Sequence, residues 1–496
     1  MSPPAQPTPT SEPETRSDAP TAGPQTPAQQ KPAQQKPAQQ KPAQQKPAQQ
    51  KPAQQKPAQQ KPAQQTPATA RRIAQLALPA LVVLAAEPLY VLVDTAVVGH
   101  LGRVPLAAVA VSGTVMSAAA WLGTLLAYGT TGRSARRFGA GDRAGAIAEG
   151  VQASWLALCC GVLVALSAQV LAGPIAGALA GDAATAHAAA GWLRIASLGA
   201  PGLLLAAAGN GWMRGVQETR RPLLFVLGAN VLSAILCPLL VYPVGWGLTG
   251  SAVANVVAQT VSGGSFLVAL VRAAGELRPT LRVIWRQLVL GRDLFIRGAA
   301  FQACFVSATA VAARFGVASV GAHQIALQLW FFSSLVLDAV AIAAQSLVGA
   351  ALGASDGALA RDVARRVTIA GGVAGVAFAL LALAGAGVVP GWFTGDRGVI
   401  EQAAIIWPWF IGMMPFAGVV FALDGVLIGA GDVRYMRNIT IASAVFGFLP
   451  AIWLAYGFDL GIRGVWAGLT LFILIRFVTM VWRWRSARWA VLGATR

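Results

Sequence analysis

The chain has 496 residues, of which 55% are hydrophobic and only 11% charged, with a formal net charge of +19 and a mean hydropathy of +0.59. Soluble domains carry about 25% charged residues, so these figures exclude an ordinary water-soluble fold and point to a helical membrane protein. The positive excess calls for no nucleic-acid partner if it gathers in loops on one side of a bilayer.

Residues 1–70 are a different material from the rest. PAQQ recurs eight times there, separated by seven lysines from Lys31 to Lys61. A Pro/Gln/Ala/Lys tract without apolar periodicity cannot bury a core, so a disordered cytoplasmic tail is expected. No apolar stretch precedes Arg71, which argues against a signal peptide. Twelve apolar segments follow, at 73–98, 106–130, 147–172, 186–209, 222–243, 248–271, 295–316, 320–349, 367–389, 401–429, 438–456 and 462–482. Most approach or exceed the ~20 residues a helix needs to cross hydrocarbon. Barrel strands are much shorter, so the predicted fold is an all-α polytopic protein.

With a cytoplasmic N-terminus, the inner loops hold seventeen arginines, among them Arg133, Arg136, Arg137, Arg220, Arg221, Arg282, Arg286, Arg365, Arg366 and Arg437. The outer loops hold four: Arg103, Arg314, Arg397 and Arg463. The positive-inside rule therefore places both termini in the cytoplasm. The basic inner loops also suit contact with anionic lipid of the bilayer.

The chain also repeats itself. Residues 99–142 lie on 313–356 without a gap, so that Gly102 meets Gly316 and FGAGD at 138–142 meets LGASD at 352–356. The same offset pairs Pro201 with Pro415, Gly215 with Gly429, Arg220 with Arg434, Gly247 with Gly461 and Gly250 with Gly464. One offset serving distant windows implies two copies of one unit of six spans each, and hence parallel repeats with a binding site between the halves. The expected organisation is a tail (1–70), an N-terminal lobe (71–275), a cytoplasmic linker (276–290), and a C-terminal lobe with a short basic tail (291–496).

The four cysteines and three histidines show no metal-ligand spacing and no disulfide framework. No GxxxxGK[ST] loop is present, and the scattered histidines supply no catalytic set, so an enzyme is not expected and an ion gradient is the natural driving force. Acids at membrane depth carry the chemistry, because a carboxylate there is costly and faces a cavity or a partner. Glu87, Tyr90 and Asp94 share one face of the first span, flanking Pro88, which removes a backbone hydrogen bond and favours a kink. Asp424 in the tenth span and Asp338 in the eighth are further candidates; pairing with Arg297 or Arg476 is the alternative for both. Asn210, Asn230 and Asn255 are candidate cavity residues, with interhelical hydrogen bonding as the plainer role.

The stretch EPLYVLVDTAVVGHLG (87–102) resembles the first-span signature of multidrug and toxic compound extrusion (MATE) transporters of the DinF-like branch. So do GAHQIALQLWFFSSLVLDAVAIAAQSLVGAALGASD (321–356), LDGVLIGAGDVRYMRN (423–438) and GNGWMRGVQETRRP (209–222), and the likeness covers about 72–485. It implies twelve helices in two pseudo-symmetric six-helix lobes around a cleft. It further implies a monomer in the bacterial cell (inner) membrane that exports organic cations or amphipathic toxins in exchange for H+ or Na+, with no other cofactor. By similarity the coupling acids are Asp94 and Asp424, with Glu87 beside the first, and the chamber is lined by Tyr90, Asn210, Ser233, Cys237 and Asn255. Many relatives carry Asn and Asp where this chain has Ser233 and Cys237; losing that carboxylate favours H+ over Na+. A flippase for lipid-linked or amphipathic precursors is the alternative within the superfamily. At the repeat offset Asp94 faces Ala308, Glu87 faces Phe301, Asp424 faces Asn210 and Asp338 faces Thr124, so the halves share a scaffold and divide the chemistry.

Overall fold

The structure is a computed structural model and describes residues 69–495. The predicted tail, apart from its last two residues, lies outside the described residues. Twelve long apolar helices follow: α1 (Ala70–Gly99), α2 (Arg103–Gly139), α3 (Arg143–Leu179), α4 (Ala183–Gly215), α5 (Arg220–Val241), α6 (Gly247–Ala273), α7 (Leu281–Arg314), α8 (Val317–Gly353), α9 (Gly357–Ala384), α10 (Arg397–Gly429), α11 (Val433–Gly457) and α12 (Gly461–Arg485). The twelve segments predicted from hydropathy all appear. The helices begin before the apolar segments, by up to fourteen residues in α7, because charged ends such as that of α2 stay helical past the apolar core; α5, α7 and α9 end short of it.

One detail departed from expectation. Residues 281–290, assigned to the linker, form the first turns of α7. The remaining connection is tied to α3, where Gln152 donates to the Arg278 carbonyl and accepts from the Thr280 amide, and Trp155 donates to the Leu277 carbonyl. α1 is helical through Pro79 and Pro88. The breaks in regular winding lie elsewhere: a 3₁₀ turn at Ser197–Gly199 in α4 and a π turn at Ala444–Phe448 in α11, each shortly before a proline.

The repeat has a local cause at its best-matched points. Gly102 and Gly316 precede α2 and α8 with φ of +124° and +102°, a region that penalises any side chain. Asp142 and Asp356, which end FGAGD and LGASD, cap α3 and α9 by accepting from the Gly145 and Leu359 amides.

α8 and α10 form the centre: 78% and 67% of their most apolar stretches are buried, against 22% in α1 and α5. Their remaining neighbours turn large apolar side chains such as Leu78, Val170, Leu224 and Trp453 outward to lipid. Some buried hydroxyls bond within their own helices, as Thr130 does to Leu126 and Thr440 to Met436, so they leave no unsatisfied group in the bilayer.

The lobes meet on the arginine-rich side. A Cβ added to Gly139 would lie 1.8 Å from the Ala350 carbonyl oxygen, and one added to Gly353 would lie 1.8 Å from that of Arg136. These are the same contact related by the repeat. Around it, the Arg136 guanidinium donates to the carbonyls of Ala430, Val491 and Gly493, and Ser346 donates to the Arg214 carbonyl. Among the described residues, the interlobe hydrogen bond farthest from this side joins the Tyr128 hydroxyl to Asp338. The lobes are thus joined on the arginine-rich side.

Gly353→Ala is expected to destabilise this closed arrangement by about 1–3 kcal/mol, because the new methyl meets backbone and cannot be relieved by a rotamer change. Thermal unfolding in detergent measures it; an unchanged midpoint for Gly353→Ala and Gly139→Ala alike would contradict the contact.

Candidate functional site

A cavity of about 450 Å³ opens within the N-terminal lobe between α1, α2, α4, α5 and α6. Three pairs at helical i, i+4 spacing converge beside it: Tyr90 and Asp94 on α1, Ser233 and Cys237 on α5, Ser251 and Asn255 on α6. Asp94 is only 4% exposed. Its Oδ1 accepts from the Ser251 hydroxyl at 2.7 Å and from the Cys237 thiol at 3.2 Å. Ser251 is itself held by the Trp192 indole N–H at 3.2 Å, which directs its proton toward Asp94. The Asn255 amide donates to the Tyr90 hydroxyl at 3.0 Å. Tyr242 closes the C-terminal end of α1 by donating to the Val97 carbonyl.

Every donor to Asp94 is neutral. No arginine or lysine lies within ion-pair distance of Asp94 or Glu87 among the described residues. Glu87 projects into the cavity one turn before Tyr90 and has no hydrogen-bond partner there. Both carboxyl groups can therefore exchange a proton or meet a cation without first breaking an ion pair.

Of the sequence-predicted cavity residues, Tyr90, Asn210, Asn230 and Asn255 line the space together with Glu87 and Asp94. Ser233 and Cys237 do not: both are fully buried behind α1, where Cys237 acts on Asp94 and Ser233 donates to the Ala254 carbonyl. Asp338 does not reach it either, because the Tyr128 ring of α2 stands between and takes its carboxylate. Ser251 and Trp192 were missed. Ser251 lies four residues before Asn255, so extending that helix face by one turn would have found it.

Asp424 lies apart from this cluster. It accepts from Arg476 at 2.8 Å on both oxygens and from Arg297 at 2.5 Å. Arg476, 1% exposed, also stacks over Phe301 at 4.5 Å, and Arg297 does so at 5.4 Å. Two guanidinium groups share this one carboxylate, so a metal cation would have to displace them. The pairing weighed for Asp424 is the arrangement found; for Asp338 the partner is a tyrosine hydroxyl.

These environments separate the two acids by experiment. Asp424→Ala leaves two buried guanidinium groups without a counter-ion and is expected to lower stability by about 3–5 kcal/mol. Asp94→Asn leaves only neutral neighbours and is expected to change it by less than about 1 kcal/mol. Denaturant titration of the purified variants decides; equal losses would remove the distinction.

Comparison with known proteins follows the same division. The MatE family model matches twice, at residues 79–239 and 294–453, one match in each half of the repeat. DNA damage-inducible protein F of Escherichia coli (strain K12) is 32% identical over 429 residues, covering 84% of this chain and 92% of its own. Protein DETOXIFICATION 44, chloroplastic, of Arabidopsis thaliana is 30% identical over 443 residues, covering 85% and 83%. Among solved structures, that of MATE in the bent conformation superposes with a TM-score of 0.77 at 21% identity, over 84% of this chain and 95% of that one.

Proposed function

From the fact that this chain belongs to the MatE family of transporters, we propose that it is a secondary active multidrug antiporter that exports organic cations or amphipathic toxins in exchange for protons. The observation that carries this reading is Asp94 at the cavity edge, buried and held by Ser251 and Cys237 alone. A carboxylate without a fixed counter-ion can serve either a proton or a cationic cargo, and that competition is what an antiporter needs. A thiol is a poor ligand for a hard cation, which wants several oxygens. The set around Asp94 therefore favours H+ over Na+.

The cycle follows from this competition. We place the arginine-rich side in the cytoplasm of a bacterial inner membrane, by the positive-inside rule. The described arrangement, closed on that side, is then the outward-facing one. A proton entering from outside neutralises Asp94, with Glu87 as its neighbour on the cavity wall. The cationic cargo loses its electrostatic anchor and leaves outward. Closing the outer side requires the Gly139–Gly353 junction and the Tyr128–Asp338 bond to part, which opens the cavity inward. Proton loss to the cytoplasm restores the negative site for the next cargo.

The test is efflux of a fluorescent cationic dye from reconstituted vesicles under an imposed pH gradient. Wild type is expected to export the dye with a pH gradient and not with a Na+ gradient alone. Asp94→Asn is expected to abolish gradient-driven export, and Ser251→Ala to slow it by roughly tenfold, the loss of one charge-assisted hydrogen bond. Normal export by Asp94→Asn, or equal export on Na+ alone, would overturn the proton scheme.

A further inference from the structure

Three guanidinium groups and two carboxyl groups gather where the cavity floor meets the other lobe: Arg214, Arg476 and Asp424 are buried, and Arg297 and Asp338 half-buried. Arg297 and Arg476 both sit on Asp424, and Asp338 takes the Tyr128 hydroxyl. Arg214 touches neither carboxylate. It is 6% exposed, and among the described residues its guanidinium has no ion pair and no hydrogen bond. The ionisable groups acting on it are Tyr128 and Asp338, the latter beyond salt-bridge distance. It is also the only one of the three arginines that lines the cavity.

One turn earlier on α4, Asn210 lines the same space. It is 8% exposed, and its Oδ1 has no hydrogen-bond partner among the described residues. A buried guanidinium without a counter-ion is among the costlier features a membrane protein can hold. A guanidinium that lines a cavity with no acceptor in contact indicates that the missing partner arrives with the ligand.

We propose that Arg214 and Asn210 form an anion subsite at the inner end of the cavity, which takes the carboxylate of an amphoteric cargo whose cationic part lies toward Glu87 and Asp94. A guanidinium matches a carboxylate in shape and charge. The Asn210 amide can turn to present its N–H₂ to the same anion. The cavity volume suits a drug-sized molecule. The Arg214 carbonyl accepts from Ser346 of the other lobe at 2.8 Å, so separating the lobes disturbs the backbone that carries the subsite. Release of the carboxylate is thereby tied to the same motion that reorients the cavity.

This assignment rests on the reading of the cavity as a cargo site, and the test keeps the two apart. Two xanthene dyes with the same cationic ring system are compared, one with a free carboxylate and one with that carboxylate esterified. Binding to the purified full-length chain is followed by fluorescence anisotropy, and pH-gradient export of the ester by wild type separately checks the cavity reading. Wild type is expected to prefer the carboxylate dye, and Arg214→Gln to reduce the ratio of the two affinities by about tenfold or more. Arg214→Lys, which keeps the charge without the fork, should fall between. Should R214Q fail to fold, Asn210→Asp serves: a second negative charge beside Arg214 should selectively weaken the carboxylate dye. An unchanged ratio in these variants overturns the subsite. So does loss of the preference in vesicles containing anionic phospholipid and its return in zwitterionic ones, which would mean that the arginine holds a lipid headgroup.

Discussion

The closest approach between the lobes is a glycine on a carbonyl, made twice. Gly139 lies against Ala350 and Gly353 against Arg136, and the repeat maps one contact onto the other. Helices in lipid gain nothing from hydrophobic burial against each other, because the tails are as apolar as leucine; close van der Waals packing must hold them. The absence of Cβ at these two positions lets α2 and α8 touch at their ends. The Arg136 guanidinium reinforces it by reaching the α10–α11 turn and the C-terminal segment at Val491 and Gly493, so the end of the N-terminal lobe is fastened to three parts of the C-terminal one.

The scaffold is symmetric, and the charges on it are not. Asp94 stands where the second half has Ala308, and Asp424 where the first has Asn210. Each acid is buried, but one is held by a thiol and a hydroxyl and the other by two arginines. The difference is thermodynamic. Neutral donors stabilise a carboxylate modestly, so exchange of its proton or of a bound cation disturbs little else. An acid shared by two guanidinium groups cannot lose its charge without stranding both. The first arrangement suits a group that changes state in every cycle, and the second a group that fixes helix positions while the first one works.

Much of this was legible in the sequence. Spans follow from hydropathy, and the repeat from glycines and aspartates that serve positive φ, caps and close approach. The face carrying Glu87, Tyr90 and Asp94 follows from helical period. What period cannot supply is the rotation of one helix against another. Ser233 and Cys237 have the right spacing but point behind α1 and not into the cavity. Ser251 carries no sequence mark of its own, and becomes important only because α6 packs it against Asp94. Asp338 has the look of a cavity acid until Tyr128, ten residues short of the α2 junction motif, is seen to cover it. These outcomes are set by small-residue packing between helices far apart in the chain, to which a hydropathy profile is blind. Proline content locates irregular winding only in part: the 3₁₀ and π turns lie just before prolines, while α1 is helical through two of them.

Tyr128 is where the two chemistries touch. Its ring lines the cavity of one lobe, and its hydroxyl is bound by Asp338 of the other. Asp338 in turn sits within electrostatic reach of Asp424, Arg297 and Arg214. Occupancy of the cavity is thus connected to the fixed charges of the C-terminal lobe through one aromatic side chain, without those charges facing the cargo. Such a link transmits a state only if its two arrangements differ in free energy. Here they do: with the lobes apart, Asp338 loses its hydroxyl partner beside an acid already saturated with arginine. The C-terminal acids therefore need bind no ion to influence transport; it is enough that they set the energy of the contact that must break.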